Sequence, residues 1–299
     1  MLRCCGVIVM AITLASTSPF ECLPNQDHRT DKKHGVFAES IVLSGTRTLD
    51  STEMSSIIGQ LSGSCFDEQG DQIANYVRDQ FQQRGYMRAR VEHVRVRPSD
   101  PLTIPKPATI EADVTEGPLY HIGGIRFEGN SAFSSEELTA LFPFKAGSIY
   151  SSLRLRSGIN ALRGVYGSAG YIDTTFVSDA DIASDQVENP TVLIKISFVE
   201  GSQYHMGKVQ VAGPTEQVSA LQSRWALQEG LPFDGAYPHK FLVEYKELLP
   251  ADFQERQALR IVRNCRDATV DVSIVLDWRF APVQPAGDIG CEKPPKPKA

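Results

Sequence analysis

Two histidines hold the same place in an internal repeat. His121 lies in EGPLYHIGGIRFEGN (Glu116–Asn130) and His205 in EGSQYHMGKVQVAG (Glu200–Gly213), 84 positions on. Histidine titrates near neutral pH, so each is a candidate for acid–base work. Catalytic groups are seldom duplicated in register in separate units, so a structural role at a junction between repeats is the expectation. Asp179-x-Asp181-x3-Asp185 hints at calcium, but no glycine takes the turn position and no glutamate closes a 12-residue loop. A solvated hairpin loop is the better reading. The sequence carries no GxSxG, HExxH or P-loop motif. No catalytic residue, metal or cofactor is expected, and the chain reads as a non-enzyme.

Two further groups of side chains could do chemistry. Beyond Cys4 and Cys5 the cysteines are Cys22, Cys65, Cys265 and Cys291, with no CxxC or Cys/His cluster at metal spacing. In an oxidising compartment these four allow three pairings; a Cys22–Cys291 bond and four free thiols both stay open. The other group is cationic. Tyr86–Arg97 (YMRARVEHVRVR) is β-prone, but Met87, Ala89 and Val91 have one parity and Val94 and Val96 the other. A bulge near Glu92 or His93 would put all five on one face and Arg88, Arg90, Arg95 and Arg97 on the opposite one. Such a row is either a charged edge that resists aggregation or a contact face for anionic headgroups or an acidic partner.

The 299 residues are 41% hydrophobic and 22% charged with net charge −6, an ordinary globular composition without the basic field that nucleic acid demands. Met1–Arg3 and the apolar Cys4–Ala15 run resemble a signal peptide, which is taken to cover residues 1–18; a buried N-terminal helix is the competing reading. The run is too short to span a bilayer. Residues 19–36 read as a linker and the Pro-rich residues 281–299 as a disordered or extended tail.

The elements that position these groups follow the 84-residue period, which argues for three small units at 37–118, 119–203 and 204–280. A fainter copy of the repeated strand ends at Gly45. Asp50 and Glu53 form a predicted capping box with a Leu49/Met54 staple, echoed by Ser134, Glu137 and Phe133/Leu138. A second helix carries Ile73, Tyr76, Val77, Gln80 and Phe81 in one unit and Leu155, Ile159, Leu162 and Tyr166 in the next. Each ends at a Gly-Tyr corner, Gly85-Tyr86 and Gly170-Tyr171. Closing strands alternate at Ile110, Ala112, Val114; at Ile194, Ile196, Phe198; and at Val270, Val272, Ile274.

Each unit thus reads strand-helix-helix-strand-strand. With Tyr120–Asn130, the Gly-Tyr corners and the closing Val-x-Glu-Gly, the chain resembles tandem POTRA domains of the kind found in the periplasmic arms of BamA/TamA-like outer-membrane assembly proteins. Residues 37–280 carry the resemblance, without the C-terminal barrel of those proteins. It implies an α+β fold in which each unit is a small mixed three-stranded sheet backed by two helices. It implies an exported, periplasmic, non-catalytic module that binds outer-membrane or secreted polypeptides by strand addition. The alternative is a structural adaptor docked on a separate outer-membrane barrel. On this reading Arg88, Arg90, Arg95 and Arg97, with Tyr171, Thr174 and Phe176, mark partner-binding edges, with contact to a membrane surface open to the arginines. Glu116, Gly117, Tyr120, Glu200, Gly201 and Tyr204 mark the inter-unit joints.

Overall fold

A computed structural model describes residues 36–45, 49–62, 65–66, 70–100, 102, 106–182, 189–281 and 287–291. The expected signal segment, nearly all of the linker, Cys22 and Asp185 lie outside the described residues.

Three sheets follow one plan. In the first, β1 (Val36–Ser44) is followed by α1 (Ser51–Leu61), β2 (Cys65–Phe66), α2 (Asp71–Gln83), β3 (Arg90–Pro98) and β4 (Lys106–Thr115). The order is β2-β1-β4-β3, with β1 parallel and β3 antiparallel to β4. The two-residue β2 makes this sheet four-stranded, one more than expected. The middle sheet contains β5 (His121–Glu128), β6 (Thr175–Ile182) and β7 (Thr191–Val199) in the order β5-β7-β6, with α3 (Ser135–Thr139) and α4 (Ser152–Ser168) between β5 and β6. The third holds β8 (His205–Ala212), β9 (Leu259–Asn264) and β10 (Thr269–Val275) in the order β8-β10-β9, with α5 (Thr215–Arg224) and α6 (Tyr237–Glu244) between β8 and β9. In every sheet the last strand in sequence is central.

Composition explains that placement. The last strands carry the cleanest apolar alternation, and a strand buries one parity of its residues against the helices. Ala108, Ile110, Ala112 and Val114 are buried in β4, and Val192, Ile194, Ile196 and Phe198 in β7. Each large apolar side chain so buried stabilises by about 1.5–3 kcal/mol. The helices are local in origin. Asp50 accepts from the backbone N–H groups of Thr52 and Glu53, while Glu53 accepts from the Asp50 N–H. Ser134 and Glu137 repeat the box, although α3 is only five residues long. In α4 the buried residues are Gly158, Leu162 and Tyr166, whereas Leu155 and Ile159 are half-buried. Gly158 takes that place because the Phe142 ring lies where a Cβ would be, 2.1 Å away.

Spatial contacts divide the chain into two compact bodies. One comprises Met1–Gly124, Phe144–Arg154 and Ile182–Val192, and the other Ile125–Pro143, Leu155–Asp181 and Leu193–Ala299. The first is centred on Ile57, Leu61, Phe66, Phe81 and Ile110. The second contains an aromatic group in which Phe127 and Tyr166 both meet Phe198, and a further core of Leu221, Phe241, Leu242 and Ile274.

Three expectations are corrected. The β-prone run begins as a turn: Tyr86 N–H bonds back to Phe81 O and Ala89 N–H to Tyr86 O, so β3 starts at Arg90 and Arg88 precedes the strand. Tyr171 and Thr174 likewise lie in the corner before β6, and only Phe176 of that trio is in the strand. The tail beyond Phe280 was expected to be disordered or extended throughout. Within it Ile289 instead pairs with Asn264 of β9, and Cys291 forms a disulfide with Cys265. Cys291 is therefore not joined to Cys22, and the four cysteines are not all free thiols.

Candidate functional site

The repeated stretch forms two joints of the same construction, each lying wholly within one compact body. At the first, the Tyr120 N–H donates to Gly85 O (3.0 Å) and the Tyr150 N–H donates to Tyr120 O (2.9 Å). At the second, the Tyr204 N–H donates to Gly170 O (2.8 Å) and the Phe233 N–H donates to Tyr204 O (2.9 Å). The glycine of each Gly-Tyr corner thus receives the chain entering the next repeat. Gly85 and Gly170 sit at φ +105° and +90°, a region costly for other residues. A Cβ on Gly170 would lie 2.4 Å from Tyr204 O, and one on Gly85 2.6 Å from Ile149. Tyr120 and Tyr204 are buried, and Gly117 and Gly201 take φ +72° and +73°.

The glutamate of the motif works backwards, into its own repeat. The Glu200 carboxylate accepts from the Ser131 N–H (2.9 Å), the Ser131 hydroxyl, the Ala132 N–H (3.1 Å) and the Tyr166 hydroxyl (2.7 Å). It ties the end of the last strand to the loop that starts α3. Burial pushes the Glu200 carboxyl up, but the bonds from Ser131, Tyr166 and Ala132 together outweigh it and hold the group below the usual glutamate range. Burial, and then the bond to Glu200, push the Tyr166 phenol up. Glu116 is buried at the equivalent position.

The second joint carries a polar network around Tyr204. The Tyr204 hydroxyl donates to Asp173 (2.8 Å) and lies 2.9 Å from Cys265 Sγ. Arg263 donates to Asp173 with one nitrogen, and its Nε donates to Asp288 (3.0 Å). Burial, followed by the Asp173 bond, pushes the Tyr204 phenol up to about 12. Asp173, Arg263 and Asp288 escaped the sequence reading. Asp173 falls where the preceding repeat has Arg88, and β9, which carries Arg263, has no apolar alternation to reveal it.

The candidate edges are β3 and β6, each at the end of its sheet. The bulge in β3 falls between Glu92 and Arg95, with His93 at φ +52°. Val91, Val94 and Val96 pack towards the core, while Arg88, Arg90, Arg95 and Arg97 are exposed. Arg97 pairs with Glu111 at 3.1 Å and Arg95 at 3.8 Å, so half of the row is partly neutralised by the adjacent strand. On β6, Phe176 packs on Phe198 beneath the Arg163 guanidinium, and Asp179 and Asp181 are exposed. Thr174 donates to Glu200 O (2.9 Å) and so belongs to the joint. His121 and His205 open β5 and β8. The described residues contain no group of His, Cys, Asp or Glu arranged to hold a metal ion, and no helix long and apolar enough to cross a membrane.

Residues 120–201 match the family model for POTRA, "Surface antigen variable number repeat". That stretch is a POTRA repeat. The matched POTRA repeat runs from the Tyr120 joint to the Glu200–Gly201 pair. A protein of Treponema pallidum named as a putative outer membrane protein assembly factor is 31% identical over 138 residues, which is 46% of this chain and 16% of that one. The outer membrane protein assembly factor BamA of Neisseria meningitidis is 28% identical over 118 residues, 36% of this chain and 15% of that one. The chain thus spans about a sixth of the length of these relatives. The crystal structure of Haemophilus influenzae BamA POTRA3-5 superposes with a TM-score of 0.57 at 18% identity, over 84% of this chain and all of the other, which shows the fold.

Proposed function

We propose that this chain is a non-catalytic periplasmic module of outer-membrane protein assembly or secretion, which binds extended polypeptides by adding them as strands to β3 and β6. The observation that carries the reading is sheet order: both strands lie at the ends of their sheets, beside apolar central strands. An edge strand presents backbone N–H and C=O groups in a row, so it binds an extended segment with little demand on its sequence. That tolerance suits clients that differ in sequence and share β structure. The curated relatives named as outer membrane assembly factors support the setting. The joints serve this function by bonding the entry of each later repeat to the corner of the one before, through the Gly85–Tyr120 and Gly170–Tyr204 backbone bonds. The exposed arginines of β3 favour acidic client segments or anionic headgroups.

Photo-crosslinking in cells tests the reading. A photoreactive residue at Arg95 or Val177 is expected to capture a range of nascent outer-membrane or secreted chains, whereas one at exposed Asn75 on α2 captures few. A single stoichiometric barrel protein in every adduct would replace client binding with an adaptor role.

A further inference from the structure

The third sheet differs from the other two at its β9 edge, which is already occupied. Ile289 pairs in parallel with Asn264: the Cys265 N–H donates to Ile289 O (2.9 Å) and the Ile289 N–H donates to Arg263 O (2.8 Å). The Asp288 carboxylate accepts from the Arg263 N–H (3.0 Å) and from its guanidinium Nε (3.0 Å). The Cys265–Cys291 disulfide closes the arrangement within two residues of Ile289. Backbone pairing at Ile289, a carboxylate on an arginine fork and a covalent bond all converge on five residues. A five-residue segment pays too much ordering entropy to hold such a place through two backbone bonds alone, so the covalent tie is what keeps it there.

We propose that β9 is a strand-accepting edge whose built-in occupant is Asp288–Cys291, held as a disulfide latch, and that opening the latch frees β9 for an extended segment of another polypeptide. The occupant defines the ligand class. The acceptor takes an extended chain running parallel to β9, with an acidic residue for Arg263 followed directly by an aliphatic one. Opening requires two electrons from a dithiol. Its first thiolate attacks Cys291 Sγ, the Cys265–Cys291 bond breaks, and Cys265 leaves as a thiolate that takes up a proton. Its second thiolate attacks the resulting mixed disulfide, which frees Cys291 as a thiol and leaves the reductant as a disulfide. Both cysteines are half-buried, not sealed in the core, so a reductant has access to them. The latch also touches the second joint, because Arg263 bridges Asp288 to Asp173.

The proposal extends strand addition to an edge other than β3 and β6, so its failure leaves the function proposed above standing. The test uses the full chain, oxidised, beside the variants Cys291→Ser and Asp288→Lys. Cys291→Ser removes this bond, and Asp288→Lys keeps the disulfide but sets two cations against each other. The probe is the peptide AGDIGSE, which matches residues 286–292 with serine for Cys291. In Cys291→Ser, amide exchange of Cys265 is expected to accelerate, while the buried amides of β10 stay protected. The peptide is expected to bind this variant at least about tenfold more tightly than the oxidised parent, since a tail tied only by the chain competes at merely millimolar effective concentration. Substituting lysine for the peptide's aspartate removes that binding. Asp288→Lys is expected to accelerate exchange at Arg263 with the disulfide intact. Equal binding to the oxidised parent overturns the latch. Faster Cys265 exchange without peptide binding overturns the acceptor edge, as does an unfolded β10 in Cys291→Ser accompanied by unchanged exchange in Asp288→Lys.

Discussion

Replacing Glu200 with alanine removes one carboxylate that serves four donors: two backbone N–H groups, the Ser131 hydroxyl and the hydroxyl of buried Tyr166. Hydrogen bonds to a charged acceptor contribute about 1.5–3 kcal/mol each, and a buried hydroxyl left without a partner costs about 1–3 kcal/mol. The four donors share one half-exposed group, and water reaches the Ser131 side, so the contributions do not add. The expected loss is about 2–4 kcal/mol, read by urea unfolding followed through tyrosine fluorescence. Its pH dependence identifies the charged form as the cause. The folded carboxyl titrates below the usual glutamate range, so its stabilisation is complete above the unfolded-state pKa of about 4.3 and is lost as pH falls through the lower folded-state value. The gap between parent and Glu200→Gln should therefore narrow on acidification from pH 7 to pH 3. A loss under 0.5 kcal/mol in the alanine variant, or a gap to glutamine that does not change with pH, refutes the reasoning.

Gly170→Ala forces a Cβ to 2.4 Å from the Tyr204 carbonyl at φ +90°, and a loss of about 3 kcal/mol or more is expected in urea unfolding; a loss below 1 kcal/mol counts against the joint. Gly158→Ala meets the Phe142 ring at 2.1 Å and destabilises by a similar amount, and Phe142→Leu in the same chain should restore part of it by vacating ring volume. Tyr204 ionises only near pH 12, so ultraviolet phenolate titrations of parent and Tyr204→Phe should coincide up to pH 10.5 and separate above it, whereas separation near pH 10 contradicts the buried network. His93→Gly should leave stability unchanged or raise it by up to about 1 kcal/mol, because it relieves a left-handed residue at the β3 bulge.

Much of the fold is legible wherever local chemistry repeats. The capping boxes at Asp50 and Ser134, the Gly-Tyr corners and the alternation of the last strands each have a cause within a few residues. The β3 bulge follows from a parity conflict between Val91 and Val94 that no regular strand resolves. What stayed hidden depends on residues far apart in the chain. Glu200 looks like a joint residue in sequence, yet it satisfies donors 68 and 69 positions earlier. Strand β9 has no apolar alternation, and Arg263 is recognisable only once Asp173 and Asp288 converge on it. The tail reads as disordered or extended because its proline content says nothing of the disulfide that joins Cys291 to Cys265. Strand limits erred at Tyr86 and Tyr171, where β-prone residues are held in turns by bonds to the preceding helix.

Strand addition at β3 and β6 is most directly tested by a backbone NMR titration with an extended peptide from an outer-membrane β-strand. Shift changes and slowed amide exchange are expected along Arg90–Arg97 and Thr175–Asp181, with the central strands β4 and β7 unmoved. Changes confined to the helices and loops, with β3 and β6 silent, would contradict it.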